Sequence, residues 1–143
     1  MSVSYHQDLT ITNDLAALSR VRDLVADAVL QGEFPADWTN RLQIAVDEAV
    51  TNIIEHGYED SPLGEASINL AVHVDDDAFH ITISDQGQHF DPNRMSDVDI
   101  KRHVEAGYHG GLGVFLMRRI MDVVDYRFEN GKENTLSLVK YRP

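Results

Sequence analysis

The stretch INLAVHVDDDAFHITISD, residues 68–85, decides the fold. Ile68, Leu70, Val72 and Val74 alternate with Asn69, Ala71 and His73, the period-two pattern of a half-buried strand. Asp75-Asp76-Asp77 is a run of turn formers. Phe79, Ile81 and Ile83 then alternate with His80, Thr82 and Ser84 up to Asp85. The pattern predicts a hairpin of two antiparallel strands, each with one apolar face that needs cover.

Outward from the hairpin, the cover is helical. Leu15, Leu18, Val21, Val25 and Val29 recur at helical spacing, with Asn13 or Asp14 as cap and Gly32 as stop. Pro35 to Asp37 opens a second helix with the apolar stripe Leu42, Ala45, Val46, Ala49 and Ile53, and Gly57 ends it. Tyr5 to Ile11 reads as a short edge strand, and Ser61 to Gly64 as a turn around Pro62. Residues 86–112 carry four glycines and a proline, with room for a short helix between Val98 and Val104. Val114 to Met121 reads as a third helix opened by glycines. Val123 to Phe128, a turn at Asn130-Gly131 and Thr135 to Tyr141 form a closing hairpin. The order β, α, α, β, β, loop, α, β, β predicts an α+β fold. It is a two-layer sandwich whose mixed, mostly antiparallel sheet is covered on one face by helices, a single domain over residues 1–143.

Bulk composition narrows the function. The 143 residues are 43% hydrophobic and 25% charged, ordinary for a globular domain. A net charge of −12 speaks against nucleic acid as a ligand, because phosphate neutralisation needs a basic face. The same excess suits a basic protein partner or simply keeps the chain in solution. With no cysteine, disulfides, thiolate catalysis and Cys-ligated zinc are excluded. The N-terminus does not read as a signal peptide and no apolar run is long enough to span a bilayer, so the expected location is the cytoplasm, off the membrane.

Three segments carry candidate chemistry. On the second helix, Glu48 and Asn52 lie four residues apart, as do Asn52 and His56, and all three fall beside the apolar stripe. Read on its own, that edge fits either solvated side chains or a carboxylate and a carboxamide set to hold a hydrated divalent cation beside a proton acceptor. Asp85-Gln86-Gly87 leaves the return strand. It is either a plain turn or an adenine reader, with the Asp85 carboxylate accepting from an exocyclic amine and Gly87 letting backbone approach the base. Gly110-Gly111-Leu112-Gly113 precedes the third helix. It is either a flexible loop or a set of exposed N–H groups at the positive end of a helix. It is no P-loop, since Gly-Lys-Ser/Thr is absent. The seven histidines show no metal-ligand spacing.

In this order, Glu-x-x-x-Asn on a helix, Asp-x-Gly after a strand and Gly-x-Gly opening a later helix resemble the GHKL ATPase superfamily. Asp47-Glu48-Ala49-Val50-Thr51-Asn52, His56-Gly57-Tyr58 and Gly110 to Met117 look like the anti-sigma-factor serine kinases of the RsbW and SpoIIAB type. The resemblance implies the Bergerat ATP-binding fold. It implies Glu48 as general base, Asn52 as the Mg²⁺ ligand and Asp85 as adenine reader. Gly87, Gly111, Leu112 and Gly113 would line the ATP pocket, and residues 93–109 would form a mobile lid. The superfamily's usual Asp-x-Gly-x-Gly has His89 at its last position here. The implied activity is an ATP-dependent protein-serine kinase. It phosphorylates a STAS-type anti-anti-sigma protein, exchanges it for a sigma factor, and works as a homodimer. The alternative is an ATP-binding interaction module that sequesters a signalling partner without turnover.

Overall fold

The computed structural model describes residues 4–58, 62–86, 110–128 and 133–143. Five strands form one sheet: β1 (Tyr5–Thr12), β2 (Ser67–Val74), β3 (Ala78–Asp85), β4 (Val123–Phe128) and β5 (Asn134–Tyr141), in the spatial order β1-β2-β3-β5-β4. Among the described residues every pairing is antiparallel. The helices are α1 (Leu18–Gln31), α2 (Thr39–Asn52) and α3 (Gly110–Ile120). Each of α1 and α2 is entered through a 3-10 turn, Leu15–Ala17 and Ala36–Trp38.

The alternation in residues 68–85 sets which face is covered. Ile68, Leu70, Val72 and Val74 of β2 and Phe79, Ile81 and Ile83 of β3 are buried, joined by Leu136 and Leu138 of β5. They meet Val21, Val25 and Ala28 of α1 and Leu42, Ala45, Val46 and Ala49 of α2 in one core. Burying each large apolar side chain contributes roughly 1.5–3 kcal/mol, so the stripe pattern alone holds the two layers together. Helix α2 packs between α1 and α3, and α1 also touches β1 and β2. Among the described residues no helix is long and apolar enough to cross a membrane.

Several local expectations change. Of the two cap candidates, Asp14 does the capping: its side chain accepts from Ala16 N at 2.9 Å. Asn13 is buried and staples the Pro62 turn, its Nδ2 donating to Pro62 O and its Oδ1 accepting from Ala66 N, each at 3.1 Å. Leu15 leaves the apolar stripe: it sits in the 3-10 turn before α1 and is 44% exposed. Gly32 stops α1 for a reason of space. Its φ is −84°, which any residue tolerates, but a Cβ there would lie 2.6 Å from Val74 Cβ. The left-handed residue is its neighbour Glu33, at φ 53°. Helix α3 begins at Gly110, not Val114, and so takes the glycines into its first turn. The stretch 98–104 and the turn at 130–131 lie outside the described residues.

Two contacts that periodicity does not announce tie the ends together. The Arg142 guanidinium donates to Glu33 O at 2.8 Å, Gly32 O at 2.9 Å and Asp75 O at 3.0 Å, fastening the end of α1 to the β2–β3 hairpin. Trp38 is held between Arg41 and Lys140, at 3.9 and 4.2 Å from its ring centre.

Candidate functional site

Glu48 and Asn52 stand one turn apart on α2, next to the core stripe. Asn52 is 3% exposed, and its Nδ2 has no hydrogen-bond partner among the described residues. An orphaned buried amide costs about 1–3 kcal/mol, so this carboxamide calls for a partner that the described residues do not supply. Glu48 is only partly buried. Its pKa is raised above 4.5 by burial first and then by the charges of Asp47 and Glu55. Asp47 is turned toward α1, where Arg22 Nε donates to its Oδ2 at 2.7 Å.

The chain widens into a π-helical turn at Ile53–Gly57 directly after Asn52, so the four-residue spacing of an α-helix does not carry from 52 to 56. The side chain of His56 lies outside the described residues.

Asp85 closes β3 and is 5% exposed. Asn134, its direct partner on β5, donates from Nδ2 to Asp85 Oδ1 at 3.2 Å. The Tyr58 hydroxyl, which follows the π turn, donates to the same oxygen at 3.4 Å and accepts from Gln86 N at 3.1 Å. Neither Tyr58 nor Asn134 is singled out as a site residue by sequence reasoning. The Asn134 amide at a strand start carried no signal, and Tyr58 was visible only as part of His-Gly-Tyr. A cavity of about 430 Å³ opens at this end of the sheet, lined by Tyr58, Asp85 and Gln86 with Asn69, Glu65 and Glu133. Glu48 and Asn52 do not line it.

The third segment opens a helix that packs on the one bearing the first segment. The first four N–H groups of an α-helix lack intrahelical acceptors, and in α3 these are the amides of Gly110, Gly111, Leu112 and Gly113. Helix α3 packs against α2, the helix that bears Glu48 and Asn52. Gly87, His89 and the segment 93–109 lie outside the described residues.

A two-layer sandwich with a carboxylate–carboxamide pair on the central helix, a buried Asp at a strand end and a glycine-opened helix defines a nucleotide-binding ATPase class. The model of the histidine kinase-like ATPase domain matches residues 11–140. The serine-protein kinase RsbW of Staphylococcus epidermidis is 38% identical over 104 residues, covering 69% of this chain and 63% of that one. RsbW of Halalkalibacterium halodurans is 30% identical over 134 residues, covering 88% of this chain and 80% of its own. The chain therefore belongs to the histidine kinase-like ATPase domain family, with proteins named serine-protein kinase RsbW among its relatives. It spans 63% of the length of the Staphylococcus epidermidis relative. Solved structures agree on the fold. The SiaB–SiaC complex of Pseudomonas aeruginosa superposes with a TM-score of 0.67 at 11% identity, over 93% of this chain and 88% of that one. The RsbU and RsbW domains of a Mycobacterium tuberculosis protein give 0.62 at 15% identity, over 97% of this chain and 33% of that one.

Proposed function

We propose that the chain is an ATP-dependent protein-serine kinase that phosphorylates a STAS-type anti-anti-sigma protein. The observation that carries this reading is Asn52: buried, with an amide nitrogen that has no partner among the described residues, one helical turn from a carboxylate whose pKa is raised. The residues fit a magnesium nucleotide. Asn52 presents its carboxamide, whose oxygen is a suitable hard ligand once the amide is flipped, and the Asp47–Glu48–Glu55 charges favour a nearby cation. Bound there, Mg²⁺ would neutralise charge on the nucleotide phosphates.

In this reading Asp85 accepts from the exocyclic amine of adenine, with Tyr58 and Asn134 fixing its carboxylate. The N–H groups of Gly111, Leu112 and Gly113 hold phosphate oxygens at the positive end of α3, and Gly87 gives the base room. Glu48 takes the proton from the attacking serine hydroxyl as its oxygen bonds to the γ-phosphorus and ADP departs. Its raised pKa makes it a stronger base than an exposed glutamate once ionised. A sigma factor exchanging with the phosphoacceptor, a homodimer and a cytoplasmic setting complete the proposal. They rest on the family's regulatory role.

Titration calorimetry with Mg-ATP tests the site. Asn52→Ala is expected to weaken Mg-ATP binding by about tenfold or more, the loss of one charge-assisted contact. An affinity equal to the wild type would remove Asn52 from the site.

A further inference from the structure

Tyr58 connects the end of α2 to the end of β3. Helix α2 closes at Asn52, the π turn Ile53–Gly57 follows, and Tyr58 comes directly after it. The tyrosine is 8% exposed and belongs to the core cluster. A phenylalanine would fill that space equally well, so packing alone does not ask for tyrosine. A buried hydroxyl costs free energy unless its donor and acceptor functions are used. Both are used here: the Tyr58 oxygen accepts from Gln86 N at 3.1 Å and donates to Asp85 Oδ1 at 3.4 Å.

The two contacts do different things. The bond from Gln86 N has an ordinary length and holds the backbone where β3 ends and the Asp85-Gln86-Gly87 turn begins. The contact with Asp85 is long for an O–H···O bond, so it steers the carboxylate without dominating it. Asn134 reaches the same oxygen from β5 at 3.2 Å. The carboxylate is thus oriented from two separate elements. A fixed carboxylate only accepts, so it favours an exocyclic amine and disfavours a carbonyl oxygen at the same place. Tyr58 also lines the cavity of about 430 Å³ beside Asp85 and Gln86.

We propose that Tyr58 is a positioning residue for base selection: its hydroxyl ties the strand exit and the Asp85 carboxylate to the end of the helix that carries Asn52. The inference rests on the nucleotide reading above and deepens it. It assigns Tyr58 a share of the selectivity for adenine over guanine, and no share of the affinity for the phosphates.

The test is calorimetric titration of the full chain, wild type and Tyr58→Phe, with the magnesium salts of ATP, GTP and inorganic tripolyphosphate in turn. The wild type is expected to prefer ATP to GTP. Tyr58→Phe keeps the ring and is expected to weaken ATP binding about fivefold, with GTP and tripolyphosphate binding within about twofold of the wild type. On the wild type, hydrogen exchange at the Gln86 amide is expected to be slow, and to be slowed further by Mg-ATP but not by Mg-tripolyphosphate. That measurement reads the Tyr58 latch even if the variant folds poorly. A wild type without preference for ATP, an unchanged preference in a folded Tyr58→Phe, an equal loss for tripolyphosphate, or a freely exchanging Gln86 amide would each overturn the proposal and leave nucleotide binding standing. A wild type that binds neither nucleotide nor tripolyphosphate would overturn the nucleotide reading, and the proposal with it.

Discussion

Asn134 and Asp85 face each other across the β3–β5 ladder, and the Asn134 amide donates to the Asp85 carboxylate at 3.2 Å. Both side chains are buried, so this bond fixes the orientation of the acid at the strand end. Removing it loosens the Asp85 carboxylate, which the Tyr58 hydroxyl also holds, without deleting the acid. Asn134→Ala is expected to weaken ATP binding by about tenfold, since a hydrogen bond to a charged group contributes roughly 1.5–3 kcal/mol. Calorimetry on the variant checks it, and GTP binding should change little. An unaltered ATP affinity would mean that Asn134 is not needed to orient Asp85.

Glu48 gives a pH signature whose sign is opposite to that of an ion-paired acid. Its folded pKa lies above 4.5 because burial and two neighbouring acids disfavour the charge. Between 4.5 and that raised value the folded state holds more protons than the unfolded state, so stability falls as pH rises through the window. Glu48→Gln removes the penalty. The variant is expected to melt higher than the wild type at neutral pH, and the gap should close once pH drops below 4.5. Thermal melts across pH decide it, and a gap that widens on acidification would contradict the assignment.

Gly32 is a stability position. The Cβ of an alanine there would sit 2.6 Å from both Val74 Cβ and Val74 Cγ1. Gly32→Ala is expected to destabilise by about 1–3 kcal/mol, as overpacking does in a tight core. Adding Val74→Ala should not rescue it, because the Val74 Cβ remains. Urea midpoints of the single and double variants measure this.

Arg142 spans three carbonyls that belong to two separate elements. Arg142→Lys is expected to lose most of that clamp, because one ammonium cannot reproduce the planar fork. A fall in stability of about 1–2 kcal/mol is expected for lysine and somewhat more for alanine. Equal stability of Arg142→Lys and the wild type would show that charge alone suffices.

The architecture was legible wherever one periodicity governed a whole element. The alternation from Ile68 to Asp85 and the stripe from Leu42 to Ile53 place strands, helices and covered face without ambiguity, because burial of one face dictates both. Element ends were less legible. Helix α3 reaches back to Gly110 because glycine tolerates the helical conformation even though it does not favour it. Leu15 was drawn into the α1 stripe because it matches the spacing, yet the 3-10 turn places it outside. Among the candidate site residues, Glu48, Asn52 and Asp85 stand out by type and spacing. Tyr58 and Asn134 do not, because their partnership with Asp85 spans 27 and 49 residues and exists only once the sheet is paired. The π turn after Asn52 left no mark that a pattern of fours could register.

The most direct measurement is mass spectrometry of a mixture of the chain, Mg-ATP and the STAS protein encoded nearest to it. The account predicts one phosphoserine on the STAS protein, with phosphorylation slowed about 10²–10⁴-fold by Glu48→Gln while ATP still binds. A STAS protein left unmodified by a wild-type chain that binds ATP would contradict it, and so would a Glu48→Gln variant that transfers phosphate at the wild-type rate.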